Sequence, residues 1–336
     1  MKNLVLLLLC ISLLMGCASK TIVTESDIKI ALLTDSYEGE NKFISQASDQ
    51  LYLLEEEYNF ISSIYHIDDL NAWEEVALEL AKNEYDLIIG LGWQATTPFA
   101  SMASTYDQTK FAVIDVIGIG HDVKGVNFDM FYNNYVLGVM IATAFPDETK
   151  MGYIGNYNDE ANYQYLNGFT KGIHSINPDI QIVREYADTY SEQDIVYEKA
   201  MELASQDITF IMGSVSSLAN EGLYQAALDL AEEGTPIYTT GLSIDQTREE
   251  NPYILGGTRK DTGIALDFII TSFFDGSFTT DDKTTTILEG GSGTIFINVN
   301  EPIPVNYQNH EFITIEVIKA GYEALDEIRY GNISIE

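Results

Sequence analysis

Polar and aromatic residues gather at the ends of short apolar runs, a pattern that suits the holding of a neutral polar ring. Thr34-Asp35-Ser36 closes the first run, and a loop containing Gly39 leads on to Phe43. Gly90-Leu91-Gly92-Trp93 and Asp115 close two later runs. In the second half the ends are Gly155-Asn156-Tyr157, Gly213-Ser214 and Gly241-Leu242-Ser243-Ile244-Asp245. Aromatic faces stack on such rings while Asp and Asn bond their edges. Glycines at these ends permit close backbone approach. Each residue also has a plainer use: Asp35 and Asp115 serve equally well as helix N-caps, Trp93 and Phe43 as core, and the glycines as turns. The convergence carries more weight than any one residue, and it points to binding.

Catalytic readings find little footing. The chain has no Gly-x-Ser-x-Gly, no Gly-x-x-x-x-Gly-Lys-Ser/Thr and no Gly-x-Gly-x-x-Gly after a strand. Gly118-Ile119-Gly120 fails the last pattern because the next glycine comes only at Gly125. His66, His121, His174 and His310 are scattered singly, and the two cysteines, Cys10 and Cys17, stand at the start of the chain, far along it from every histidine, so no zinc-site spacing is formed. Glu55-Glu56-Glu57 and Asp281-Asp282 lack the spacing of a calcium loop and read as solvated faces. Acid–base work by the strand-end carboxylates is the one catalytic route left open. Neither cofactor nor metal is expected.

The elements that must position these residues alternate regularly. Ile28–Thr34 is a buried strand candidate, followed by a helix over 41–57 and a strand at Phe60–Ile67. Asn71 is placed to cap a helix carrying Trp73, Val76, Ala77, Leu80 and Ala81 at helical spacing. Strand 87–90, helix 95–105 and strand 111–115 complete a first half. The alternation restarts with strand 151–155, helix 160–176, strand 180–186, helix 192–205, strand 208–212, helix 217–233 and strand 236–240. Further on, 262–276 reads as a helix, 284–288 and 294–299 as strands, and 311–330 as a long C-terminal helix.

Short apolar strands alternating with helices indicate parallel sheets covered on both faces. The fold class is therefore α/β: two doubly wound parallel-sheet lobes joined by a three-strand hinge, as in type I periplasmic binding proteins. Crossings are expected near 128–135, 256–262 and 290–300. Lobe 1 would take 28–128 with part of the C-terminal region, and lobe 2 would take 129–258 completed by about 262–290. Residues 291–336 would return to lobe 1 and end in the C-terminal helix. Strand C-termini of both lobes would then face one cleft, where open α/β sheets bind ligands.

The start of the chain supplies an address. Met1-Lys2-Asn3 is a short positive start, Leu4–Leu14 an apolar run too short to span a bilayer, and Leu14-Met15-Gly16-Cys17 a small residue before a cysteine. This order resembles a bacterial lipobox, implying a signal peptide over 1–16, lipidation at Cys17 and a polar tether over 17–27. Cleavage would remove Cys10 and leave Cys17 as the sole cysteine, so no internal disulfide can staple the body. With 17 basic against 52 acidic residues, the surface repels nucleic acid and favours a neutral or cationic ligand. A monomer anchored to the cell membrane on its extracytoplasmic side is expected, touching the membrane through the lipid alone.

The residues also carry a family resemblance. The chain resembles the basic membrane protein (BMP) lipoproteins, substrate-binding components of ABC transporters that include the purine nucleoside receptor. Ile30-Ala31-Leu32-Leu33-Thr34-Asp35 looks like the family's first strand, and Phe43 matches the Phe of its Asp-x-Ser-Phe-Asn-Gln segment. Phe111-Ala112-Val113-Ile114-Asp115 resembles its Phe-x-x-Ile-Asp strand. Phe128 with Gly138, Met151–Gly155 with Gly168-Phe169, and Asp245-Gln246 follow in family order. Glu289-Gly290-Gly291-Ser292-Gly293 is close to its Glu-Gly-Gly-Val-Gly, and Ile328–Ile333 has its closing rhythm.

The resemblance implies a nucleoside-like ligand clamped between the lobes and passed to an ABC permease. Phe43 would stack on the base, Asp115 read its edge, lobe-two polar groups hold the ribose, and Phe210 supply the opposing ring. Three departures stand out: Ile44 replaces the family Asn, Ser243 replaces the first Asp of Gly-Val-Asp-x-Asp-Gln, and the family Lys corresponds to Arg259 or Lys260. The expected site is Asp35, Phe43, Trp93, Asp115, Phe210, Gly213, Ser243, Asp245 and Arg259.

Overall fold

The computed structural model describes residues 27–35, 42–117, 122–159, 162–295 and 311–334. The signal segment, Cys17, Ser36, Gly39 and Gly118-Ile119-Gly120 lie outside the described residues.

The first lobe is built from β1 (Lys29–Thr34), α1 (Lys42–Tyr58), β2 (Ile61–His66), α2 (Ala72–Lys82), β3 (Leu87–Leu91), α3 (Thr96–Ala103), β4 (Lys110–Ile114) and β5 (Val123–Phe128). The second follows as α4 (Met130–Ala144), β6 (Lys150–Gly155), α5 (Tyr163–Ile176), β7 (Gln181–Tyr186), α6 (Gln193–Ala204), β8 (Phe210–Ser214), α7 (Glu221–Glu232), β9 (Tyr238–Gly241) and β10 (Ile254–Lys260). The chain ends with α8 (Thr262–Phe274), β11 (Lys283–Thr285), β12 (Ser292–Thr294) and α9 (Ile315–Arg329).

The two sheets have the same strand order. One runs β11-β5-β4-β3-β1-β2 and the other β12-β10-β9-β8-β6-β7. All pairs are parallel except β10 with β12. Buried strands expose alternate side chains to opposite faces, so both faces need helices. In β1, Ile30 and Leu32 join the cluster under α1 and α8, while Ala31 and Leu33 join the one under α2 and α3.

The C-terminal assignments are exchanged relative to the sequence reading. Residues 262–290 do not complete lobe 2. The apolar face of α8 (Ala265, Leu266, Ile269, Ile270) packs with Ile44, Ala47 and Leu51 of α1 in the lobe-1 core, and β11 pairs with β5. Nor does the last segment return to lobe 1. Strand β12 pairs antiparallel with β10, and Val317, Ile318, Ala324 and Leu325 of α9 pack in the lobe-2 core. An apolar helix face carries no label saying which of two similar sheets it covers, so order along the chain misassigned both.

Helix α4 was read only as a crossing. Twelve of its fifteen residues are buried, and a helix apolar on every side lacks the period that marks an amphipathic one. It packs against α5 at van der Waals limits set by glycine. A Cβ on Gly138 would stand 2.3 Å from the Phe169 carbonyl oxygen, and one on Gly168 would stand 2.2 Å from that of Phe131. Asn71 makes no cap for α2; instead Asp69 Oδ1 accepts from its backbone N–H and its side-chain amide, each at 2.9 Å.

Two crossings share one device. Strand β5 runs into Asp129, which accepts from Tyr132 N and caps α4 in the other lobe. Strand β10 runs into Asp261, which accepts from Ile264 N and caps α8 in the lobe it enters. The third crossing, between β11 and β12, lies between them: Asp129 N donates to Thr285 O at 2.9 Å, and Asp261 N to Gly291 O at 2.8 Å. Three strands bonded side by side make the hinge.

Candidate functional site

Both parallel sheets present their C-terminal ends to the interlobe cleft, and the side chains there come from the turns that leave each strand. In lobe 1, Asp35 follows β1 and accepts from Gln94 Nε2 at 2.9 Å. Gly92, with φ of 102°, turns the chain after β3 so that Trp93 begins a short helical turn, 60% exposed at the lip. Asp115 follows β4 with a left-handed backbone, φ 69°.

Lobe 2 answers with Ser243, two residues past β9 and also left-handed at φ 67°. Strands β4 and β9 hold the same place in their sheets, third from the end occupied by β11 or β12. The two strained residues are therefore counterparts on opposite walls. Such backbone costs a non-glycine residue on the order of 1 kcal/mol or more and concentrates at functional sites. Ser243 is held by Thr258 Oγ1, which accepts its N–H at 3.3 Å, and its carbonyl accepts from Lys260 N at 2.9 Å.

The walls meet where Lys260 Nζ contacts Asp115 Oδ1 at 2.6 Å. Lys260 is only 8% exposed. Burial works against its charge, yet Asp115 and the Tyr165 hydroxyl outweigh that and hold the ammonium above the usual lysine range. A raised lysine value stabilises the fold fully below the ordinary lysine range, and that contribution is lost only as pH rises through the higher folded value. Across neutral pH the ammonium stays charged.

A sequence profile of the family described as "ABC transporter substrate-binding protein PnrA-like" (Bmp) matches residues 28–318. The chain belongs to this family. Basic membrane protein B of Borreliella afzelii is 27% identical over 279 residues, covering 77% of this chain and 78% of that protein. Basic membrane protein A of Borreliella burgdorferi is 23% identical over 328 residues, covering 95% and 90%. Among solved structures, an ABC transporter solute-binding protein of Aeropyrum pernix K1 superposes with a TM-score of 0.75 at 19% identity, covering 91% of this chain and 92% of that one. As a Bmp-family protein, this is an ABC transporter substrate-binding protein of the PnrA-like kind.

Within this Bmp-family cleft, the expected residues separate into two groups. Asp35, Trp93, Asp115 and Ser243 stand at strand C-termini. Phe43 opens α1, half-buried against the lobe-1 core, with its carbonyl accepting from Thr262 Oγ1 at 2.6 Å. Ile44 beside it is core, 1% exposed, so the position of the family Asn contributes packing here.

Four expectations need correction. Phe210 begins β8, at the end remote from the cleft, and is fully buried between Phe145 and Phe169. It is core and cannot be an opposing ring. Gly213 lacks a side chain because helix α7 fills the space: a Cβ there would lie 2.8 Å from Leu223 Cδ2 and 3.0 Å from the Asn220 amide. The Asp245 carboxylate is engaged locally, accepting from Thr247 N and Oγ1 at 3.0 and 2.6 Å, while its carbonyl accepts from Lys42 Nζ of lobe 1 at 3.2 Å. Arg259 faces the other way from Lys260 along β10: it pairs with Gly293 of β12, and its Nε is buried without a hydrogen-bond partner among the described residues.

Lys260 is thus the cleft cation. The sequence reading named it only as an alternative to Arg259. Alternation along β10 puts the two on opposite faces, but only the sheet's position shows which face meets Asp115. Tyr165 and Gln94 were missed altogether, because a tyrosine or glutamine near a helix start has no distinguishing local pattern.

Proposed function

We propose that this receptor closes on a neutral, nucleoside-like ligand and delivers it to an ABC permease, as a monomer lipidated at Cys17. The observation that carries this reading is the charge-balanced Asp115–Lys260 pair, buried at Lys260 and half-buried at Asp115, between the walls of an otherwise acidic protein. A charge-balanced pair offers an acceptor and a donor side by side without favouring a net charge on the ligand. Phe43 supplies a ring at the mouth of lobe 1, Trp93 a second aromatic at the lip, and Asp35 and Ser243 polar groups on facing walls. Closure about the three-strand hinge would be favoured by any ligand that binds the closed state more tightly.

The test is the melting temperature of the soluble body, from about residue 27 on, against purine nucleosides, free bases and simple sugars. A ligand at one hundred times its dissociation constant adds about 2.7 kcal/mol. A shift with nucleosides supports the reading. A shift with sugars alone would keep the receptor and overturn the ligand.

A further inference from the structure

We propose that Gln246 is a positioning residue of the lobe-2 wall, clamping the turn that carries Ser243 so that its hydroxyl is presented to the ligand. The proposal deepens the solute-binding reading given above and rests on it. Ser243 is the centre of a three-residue turn: Ile244 N donates to Leu242 O at 2.8 Å across a residue with φ of 67°. That is the rare γ-turn geometry, strained for a residue with a side chain. Strain of this kind persists only where the surroundings over-determine it, and it clusters at ligand sites. The same loop reaches across to lobe 1, since the Asp245 carbonyl accepts from Lys42 Nζ.

The clamp is one side chain with three bonds. Gln246 Oε1 accepts from Leu242 N at 3.0 Å and from the Tyr224 hydroxyl at 2.8 Å, and its Nε2 donates to Ser217 O at 2.8 Å. Leu242 opens the γ-turn, Tyr224 is fully buried in α7, and Ser217 lies in the loop that leaves β8. Gln246 thus ties the exit of β9 to the exit of β8 and to the helix that connects those strands. Glycine makes room for it: a Cβ on Gly241 would stand 3.1 Å from Gln246 Cβ and 3.3 Å from its Oε1. On the other flank the Ser243 carbonyl accepts from Lys260 N at 2.9 Å, so the clamped turn also abuts the strand that carries Lys260 to Asp115. An amide supplies the acceptor and the donor that these partners need on one planar group, and a carboxylate does not.

Gln246→Glu tests this, because a carboxylate keeps the acceptor and loses the donor until it is protonated. Enclosure by the turn and the facing Ser217 carbonyl favour protonation, so the variant should match wild type at about pH 5 and be impaired at about pH 8. On the ligand-free protein, the Ser243 amide signal in NMR should move in the variant at the higher pH and return at the lower one. Inosine, used as the probe, should bind about tenfold more weakly at the higher pH, as expected when a buried acceptor loses its donor. In a Ser243→Ala background the same substitution should cost no further affinity, an outcome that general destabilisation does not produce. If Gln246→Glu does not fold at the higher pH, Tyr224→Phe keeps the ring, removes one bond and should move the Ser243 amide in its place. An unmoved amide, unchanged inosine affinity against a responding wild type, or an equal loss without the Ser243 hydroxyl overturns the proposal. A displaced amide with no inosine response in the wild type upholds the clamp and overturns the nucleoside reading instead.

Discussion

Asp115 ends a strand of one lobe and Lys260 ends a strand of the other, and their charged groups meet at 2.6 Å beside the hinge. Lys260 immediately precedes Asp261, where β10 leaves its sheet for the other lobe. The contact therefore sits at the deep end of the cleft, near the axis about which the lobes turn. A pair so placed can persist through opening and closing while its exposed flank meets a ligand.

Removing one member should be costly in two ways. Asp115→Ala leaves a nearly buried ammonium unpaired and should lower stability by about 3 kcal/mol, measured by urea unfolding. It should also abolish the thermal shift with whatever ligand stabilises the wild type. The double variant Asp115→Leu with Lys260→Met should recover much of the stability and none of the binding. Wild-type affinity in Asp115→Ala would remove that residue from the site.

Two phenylalanines should behave oppositely. Phe210→Ala empties space between Phe145 and Phe169 and should cost about 3–5 kcal/mol, with ligand affinity of the folded protein preserved. Phe43→Ala, at a half-buried position, should cost less stability and more affinity. Titrating ligand into each variant well below its melting point separates the two effects.

Helices α4 and α5 approach too closely for side chains at the contact. Gly168→Ala places a Cβ within 2.2 Å of a backbone oxygen, which no rotamer can relieve. Overpacking of this kind costs about 1–3 kcal/mol. Calorimetry should show a lowered melting temperature, and an unaltered one would mean the helices part freely.

Acid should loosen the third hinge strand. Burial pushes the Glu289 carboxyl up, but the Lys283 ammonium at 2.6 Å and the Thr286 N–H outweigh it and hold it below the usual glutamate range. A lowered carboxyl stabilises above its ordinary range and loses that contribution as pH falls through the folded value. The ion pair is partly exposed, so the effect is at most about 1 kcal/mol. Glu289→Gln should be less stable than wild type at about pH 6 and equal to it near pH 3. A gap that is the same at both pH values would assign the loss to packing.

Much of the molecule was legible along the chain because its signals are local. Runs such as Ile30–Leu33 and Phe111–Ile114, separated by amphipathic helices, announce parallel sheets by period and length alone. The strand-end positions of Asp35, Trp93, Asp115 and Ser243 follow from the same alternation. Helix α4 escaped because full burial erases the period, and Phe210 was misplaced because the strand expected over 208–212 begins at Phe210 itself, which leaves that ring at the end away from the cleft.

The sequence by itself determined two α/β lobes, three crossings between them and a set of polar groups at strand ends, since periodicity, turn residues and caps act within a few residues. Only the tertiary structure decided that α8 closes lobe 1 and α9 lobe 2, that Lys260 rather than Arg259 meets Asp115, and that the Tyr165 ring stands beside Lys260. Those pairings join residues far apart in the chain, such as Asp115 and Lys260 at a separation of 145. Nothing in either residue's neighbourhood encodes its partner; the packing of two whole sheets about one hinge does.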